Sequence, residues 1–318
     1  MRRGVPDSDG VHLKGILLAL VSVVMWAIGP LFVKYFTEYY DVWTQNAFRY
    51  GCAALMLLAG TAATGRLFYP LRRGQWKKLA GVAATNLLMQ TAFAGGYYFI
   101  YPSVASLVGR VNIIFVTVLS FILYHDERAV IRSPRFLAGA ALALGGVVVV
   151  ILGRDPDALA RLEVTQAAFW MGVACVVAFA FCVAVYSLTI KHAVRDIPPI
   201  ISFTHVSWIT AVGLSVPMFL SGGAADLWRG PVLPIALMVL TALSCIVVAH
   251  TCYYAALRTV KAVVTGSLLQ LVPVITCVLS ALVYDDRLSP MQILGGAAVI
   301  AGAWLAALAQ ARPTRVEE

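Results

Sequence analysis

Three cations stand inside otherwise apolar stretches of this 318-residue chain: Lys34, Arg49 and Arg110. Near them in the pattern are the amides Asn46, Asn86, Gln90, Asn112 and Gln270 and the imidazoles His205 and His250. A guanidinium among hydrocarbon is costly unless a negative group or a set of carbonyls takes up its N–H donors. Such a set can bind a group better than it can transform one. Arginine offers two parallel donors that match a carboxylate, sulfonate or phosphate, and amides can orient the rest of a ligand. Asn86 and Gln90, four residues apart, share one helical face, where they either line a cavity or bond to another helix. His250 and His205 are candidates for a proton relay, although a buried neutral imidazole with one hydrogen bond is the commoner use of such a residue. Catalysis finds no support, because the chain has no G-x-S-x-G, no H-E-x-x-H and no paired interior carboxylates. No ring of like residues suggests a channel filter either.

The elements that hold these residues follow from composition. The chain is 61% hydrophobic and 12% charged, against roughly 45–50% and about 25% in soluble domains. It reads as an all-α integral membrane protein whose first partner is the lipid bilayer. Ten runs are long enough to span, at about 20 residues each: 13–36, 43–65, 76–100, 102–124, 134–153, 168–191, 198–220, 232–257, 262–284 and 290–310. Pro102 alone separates the third from the fourth, since it cannot continue a helix without losing a hydrogen bond. Segments such as VVMWAIGPLFV are apolar on every side, which excludes the alternating strands of a membrane barrel. The basic start MRRG with the run after it reads as a first span, because that run is too long for a signal peptide.

Orientation follows from Lys and Arg. With both termini cytoplasmic, 17 of the 24 basic residues fall on the cytoplasmic side, four on the opposite side and three inside helices. That arrangement predicts a plasma (inner) membrane location. The net charge of +9 is then topological, and a nucleic-acid partner is excluded because the basic residues are scattered over short loops. All six cysteines lie within predicted helices without C-x-x-C spacing, so they read as reduced packing residues, and no metal or other cofactor is implied.

The chain repeats itself. SLLQLVPVITCVLSALVYDDRLSPMQILGGAAVIAGAWL is echoed by SLVGRVNIIFVTVLSFILYHDERAVIRSPRFLAGAALALGGVVVV. Each half therefore holds five spans, and an odd number makes the second copy enter from the opposite face, an inverted repeat with its site at the interface of the halves. The predicted organisation is a cytoplasmic tail (1–12), a first five-helix repeat (13–153), an extracytoplasmic linker (154–167), a second repeat (168–310) and a cytoplasmic tail (311–318).

These stretches resemble a known family. LLALVSVVMWAIGPLFVKYF, TQNAFRYGCAALMLL and LLQLVPVITCVLSALVYDDRLSPMQILGGAAVIAGAWL are similar to the first, second, and ninth to tenth helices of EamA-type members of the drug/metabolite transporter superfamily. Two positions depart from the pattern: Asp285 and Asp286 stand where a Gly-Glu pair is usual, and Asn112 or Ile113 where the fourth helix has proline. The resemblance implies ten helices in two inverted halves around a central cavity and a function in solute transport, with no enzymatic activity.

Within that frame the cargo is read from charge. Every Asp and Glu lies outside the predicted spans, which disfavours lipophilic cations and carboxylate-based proton exchange. Arg110, roughly 12 Å along its helix, is expected near the midplane as the fork for an anionic group, with a backbone-bonding staple as the competing reading. Gln270 occupies the equivalent place in the repeat and should face it. Arg49 and Lys34 lie nearer helix ends, where snorkelling or pairing with Glu38 and Asp41 is the default. Trp26 could wall the cavity, whereas the pairs Tyr97–Tyr98 and Tyr253–Tyr254 fall where interfacial anchoring is usual. The Gly/Ala-rich fifth and tenth spans, with Gly146 and Gly296, read as scaffold or as the seam of a homodimer. The expected function is a secondary transporter of a small anionic or zwitterionic metabolite such as an amino acid or organic acid. An exporter of hydrophobic or drug-like solutes is the alternative, and a channel or membrane-embedded enzyme is disfavoured.

Overall fold

The computed structural model describes residues 8–123, 128–154, 163–193, 197–260, 264–265 and 268–310. Among these residues the structure is helical throughout. The first half holds α1 (Ser8–Phe36), α2 (Val42–Ala63), α3 (Arg73–Gly96), α4 (Pro102–Val108), α5 (Asn112–Leu123), the short α6 (Arg128–Ile131) and α7 (Pro134–Leu152). In the second half are α8 (Gln166–Ala193), α9 (Pro199–Leu220), the short α10 (Gly223–Arg229), α11 (Val232–Thr241), α12 (Ala249–Ala256), α13 (Leu271–Tyr284) and α14 (Pro290–Gln310).

Among the described residues seven stretches are long and apolar enough to cross a membrane: Leu13–Phe36, Pro102–Leu123, Pro134–Leu152, Gln166–Ile190, Pro199–Leu220, Val232–Ala256 and Pro290–Ala309. Helices α2 and α3 are long enough but more polar, and α13 is shorter. The distinction matters, because α2 and α3 carry Asn46, Arg49, Asn86 and Gln90, four of the polar residues singled out above. Large apolar side chains such as Leu55, Leu88, Leu137, Phe181 and Val212 point outward, as a hydrocarbon solvent permits.

Local chemistry sets the helix ends. Asp41 accepts the backbone N–H groups of Trp43 at 2.7 Å and Thr44 at 2.8 Å and so caps α2. It is therefore spent on its own helix rather than on Arg49, as the loop-pairing reading would have had it. Ser133 caps α7, whose first residue is Pro134, a position where the missing N–H costs nothing. The fourth predicted span is not continuous. It breaks into α4 and α5 at a turn of tighter helix, Gly109–Val111. A second irregularity, the wide π-helical turn Ala242–Val248, joins α11 to α12; such turns leave backbone groups displaced and recur at functional sites.

The larger helix–helix contacts are related by exchange of the halves. Helix α2 packs on α9 and α7 on α14, each pair joining repeat equivalents, and α4 packs on α13 across the halves. The cross pairs also exchange: α3 on α8 corresponds to α1 on α12, and α5 on α8 to α1 on α13. The main interhelical contacts of one half thus have counterparts in the other, as two similar units would give. The small-residue faces of α7 and α14 meet each other. A Cβ at Gly146 would lie 2.6 Å from the Gly295 carbonyl oxygen, and one at Gly139 would lie 2.7 Å from that of Gly302. Those small-residue faces are thus buried against each other inside the chain.

Candidate functional site

The polar core of the molecule forms on α2. Gln45, Asn46, Arg49 and Tyr50 occupy two successive turns, at spacings that place them on one side of the helix, and all four are buried. Arg49 is 4% exposed, lies among Tyr50, Tyr97 and Cys245, and has two guanidinium nitrogens, Nε and Nη1, that are buried without a hydrogen-bond partner. This differs from the expectation of a snorkelling cation. Residue 49 falls a full two turns inside α2, and the two acids at the mouth of the helix point elsewhere. The amide oxygens of Gln45 and Asn46 are likewise buried and unpartnered. The site therefore presents unsatisfied donors and unsatisfied acceptors side by side on one helix.

Neighbouring helices complete it. Asn46 Nδ2 donates to the Gln90 carbonyl oxygen at 3.0 Å and Gln45 Nε2 to the Tyr98 hydroxyl at 3.0 Å, which fixes both amides on the α3 side. The Tyr50 hydroxyl sits within reach of the Asn86 and Gln90 side chains. Asn86 is also interhelical glue, since its Nδ2 donates to Thr210 Oγ1 on α9 at 3.1 Å, and Thr210 donates to the Ala83 carbonyl at 3.3 Å. From the other half come Cys245, within the π-helical turn, and the hydroxyls of Tyr186 and Tyr254, which pair with each other near Tyr50.

An aromatic wall follows. His250 Nδ1 lies 2.9 Å from the Ile246 carbonyl oxygen, so it must carry the proton and donate, leaving Nε2 with its lone pair. The ring stacks on Phe203 at 4.4 Å and meets the edge of Trp26 at 5.1 Å, while Trp26 also lies 5.2 Å from Tyr253. His205 stacks on Trp76 at 5.0 Å, and its Nδ1 is buried without a partner. His205 and His250 thus occupy separate environments. Tyr97 is no interfacial anchor: it is 2% exposed and packs against Phe93 at 5.0 Å.

Arg110 lies in the break between α4 and α5, and its Nη2 donates to the Leu269 carbonyl oxygen at 3.2 Å. Arg110 was expected to face Gln270; its hydrogen bond goes to the backbone of the residue before it. Gln270 immediately precedes α13, its amide oxygen buried and unpartnered, and Asn112 opens α5. Lys34 does not snorkel. Its ammonium donates to the carbonyl of Tyr97 at 2.8 Å, capping the end of α3, and lies 5.8 Å from the Tyr101 ring. One acid also departs from expectation. Asp286, though in a loop, is 4% exposed, and its Oδ2 accepts Ser280 Oγ at 2.5 Å and the Ser103 N–H at 3.3 Å. It folds inward because it has those donors to satisfy it.

A helical protein with two exchangeable halves and a buried polar centre between them can be compared with known proteins. The model of the EamA-like transporter family matches residues 13–152 and again residues 170–308. The chain belongs to the EamA-like transporter family. This EamA-like chain is an integral membrane protein and a transporter of the drug/metabolite transporter superfamily. No curated protein matches it. A crystal structure described only as that of a protein superposes with a TM-score of 0.64 at 16% identity, over 96% of this chain and 99% of that one. That likeness shows a common fold.

Sequence reasoning had not singled out Gln45, Tyr50, Cys245 or Asp286 as parts of a polar interior. For the first two a signal existed: Q-N-x-x-R-Y on an otherwise apolar helix repeats polar residues at helical spacing. Cys245 and Asp286 carry no such mark, since only the tertiary fold brings them inward.

Proposed function

We propose that this EamA-like protein is a secondary transporter of a small anionic or zwitterionic metabolite, such as an amino acid or organic acid, which binds between the repeats. The observation that carries this is Arg49, a buried guanidinium with two unpartnered nitrogens and no carboxylate beside it among the described residues. A carboxylate would take both donors in one plane. The buried oxygens of Asn46 and Gln45 would then accept an ammonium group on the same ligand. Arg110 is the fork expected from sequence and has one donor on a carbonyl; the two unpartnered nitrogens of Arg49 make it the better candidate. Purified protein should gain thermal stability from amino acids or organic acids and not from cationic metabolites, in a melting screen of the three classes. Stabilisation by hydrophobic cations alone would favour the drug-exporter alternative instead.

The membrane arrangement belongs to the same proposal: ten spans, two inverted five-helix halves, both termini cytoplasmic, and alternating access at the central site. The exchange symmetry of the helix packing supports it, as does the distribution of basic residues. Single cysteines placed at Arg72 or Arg73, in a background without native cysteines, should label only from the cytoplasmic side. Labelling from outside alone would reverse the topology.

A further inference from the structure

The break at Arg110 has a counterpart. Setting Ser120 on Ser280 places Arg110 on Gln270, and the second half turns there too, at residues 269–270, before α13 begins at Leu271. In a regular helix the Leu269 carbonyl would accept the N–H of residue 273. That residue is Pro273, which has none. The carbonyl keeps only a shorter-range bond from the Val272 N–H at 3.2 Å. Arg110 Nη2 reaches it from the other half at the same distance, 3.2 Å. Within an apolar bundle, a carbonyl deprived of its helical partner must find a donor nearby.

We propose that Arg110 is a positioning residue: it supplies the hydrogen bond that Pro273 withholds from Leu269, and so braces the two interrupted helices against each other. The brace closes one end of the α4–α13 contact. Asp286 closes the other, through Ser103 and Ser280, and between them Cys277 Sγ lies 3.9 Å from the Ser103 carbonyl oxygen and 4.0 Å from Ser106 Oγ. Helices α4 and α13 come from opposite halves and pack on each other, so their register sets how the halves meet around the site. The cargo's charge does not enter this argument, and variants of Arg110 and Arg49 therefore test different things.

Cys277 is a built-in reporter. In full-length protein retaining only that cysteine, the rate of N-ethylmaleimide labelling and the melting temperature would be measured for the parent, Arg110→Met, Pro273→Ala and the double variant. Arg110→Met should label roughly tenfold faster or more, the scale of one charged hydrogen bond, and melt lower. Pro273→Ala gives any helix a general gain, so the diagnostic is the excess: the double variant should return to near the parent rate, and the stabilising effect of Pro273→Ala should be larger in the Arg110→Met background than in the parent. A double variant that labels as fast as Arg110→Met overturns the brace. So does parental labelling of Arg110→Met, which would leave its guanidinium free for cargo. Should Arg110→Met not fold, recovery of folded protein in the double variant supports the proposal and failure of both variants refutes it.

Discussion

Arg49→Gln should weaken substrate binding and stabilise the empty protein in the same step. The guanidinium lies buried with Nε and Nη1 unsatisfied, so the unliganded fold bears its desolvation with little in return. Glutamine removes the charge and keeps a polar stem. Affinity for an anionic cargo should fall about ten- to hundredfold, the equivalent of 1.5–3 kcal/mol for a hydrogen bond to a charged group, while the melting temperature without ligand rises. Arg49→Lys should fall between the two, because it retains charge but loses the planar pair of donors. Opposed shifts of stability and function are the expected mark of a residue strained for use rather than for folding. If Arg49→Gln melts lower and binds as before, Arg49 is structural and the anionic-cargo reading fails with it.

Gly146→Leu should be the most destructive single change in the scaffold. A Cβ there would stand 2.6 Å from the Gly295 carbonyl oxygen and 2.7 Å from the Val299 amide nitrogen. These are backbone atoms of α14 that cannot turn aside, so the helices must separate, at a cost of about 3 kcal/mol or more. Neighbouring Gly145 has nothing within 4 Å of such a Cβ, so Gly145→Ala should fold normally and gain slightly in helix propensity. Gly296→Leu should be intermediate, since it meets only the flexible end of Leu107, at 3.1 Å. Size-exclusion profiles and melting curves of the three variants would check the order. Equal behaviour of Gly145→Ala and Gly146→Leu would show that α7 and α14 do not meet through this face.

The amino-acid sequence determined the solvent, the helical class, the internal repeat and the family. Each is written in long-range regularities: apolar runs of spanning length and the twice-used V-L-S-x-x-x-Y frame. Of the residues it singled out, Asn46, Arg49, Asn86, Gln90 and Trp26 all lie at or beside the polar centre. What it could not rank was the cations. Hydrophobic context alone makes Arg110 look the more isolated, because a run of sequence does not reveal that Pro273, in another helix, leaves a carbonyl for it to satisfy. Arg49 looked safer near its helix end, beside Asp41, until the fold showed Asp41 bonded to its own backbone and Arg49 turned into the protein. Asp286 reads as loop residue by position and as interior residue only once Ser103 and Ser280 converge on it. Burial and pairing are relations between distant segments, and a charge's role follows from which partners reach it; that is decided by tertiary packing alone.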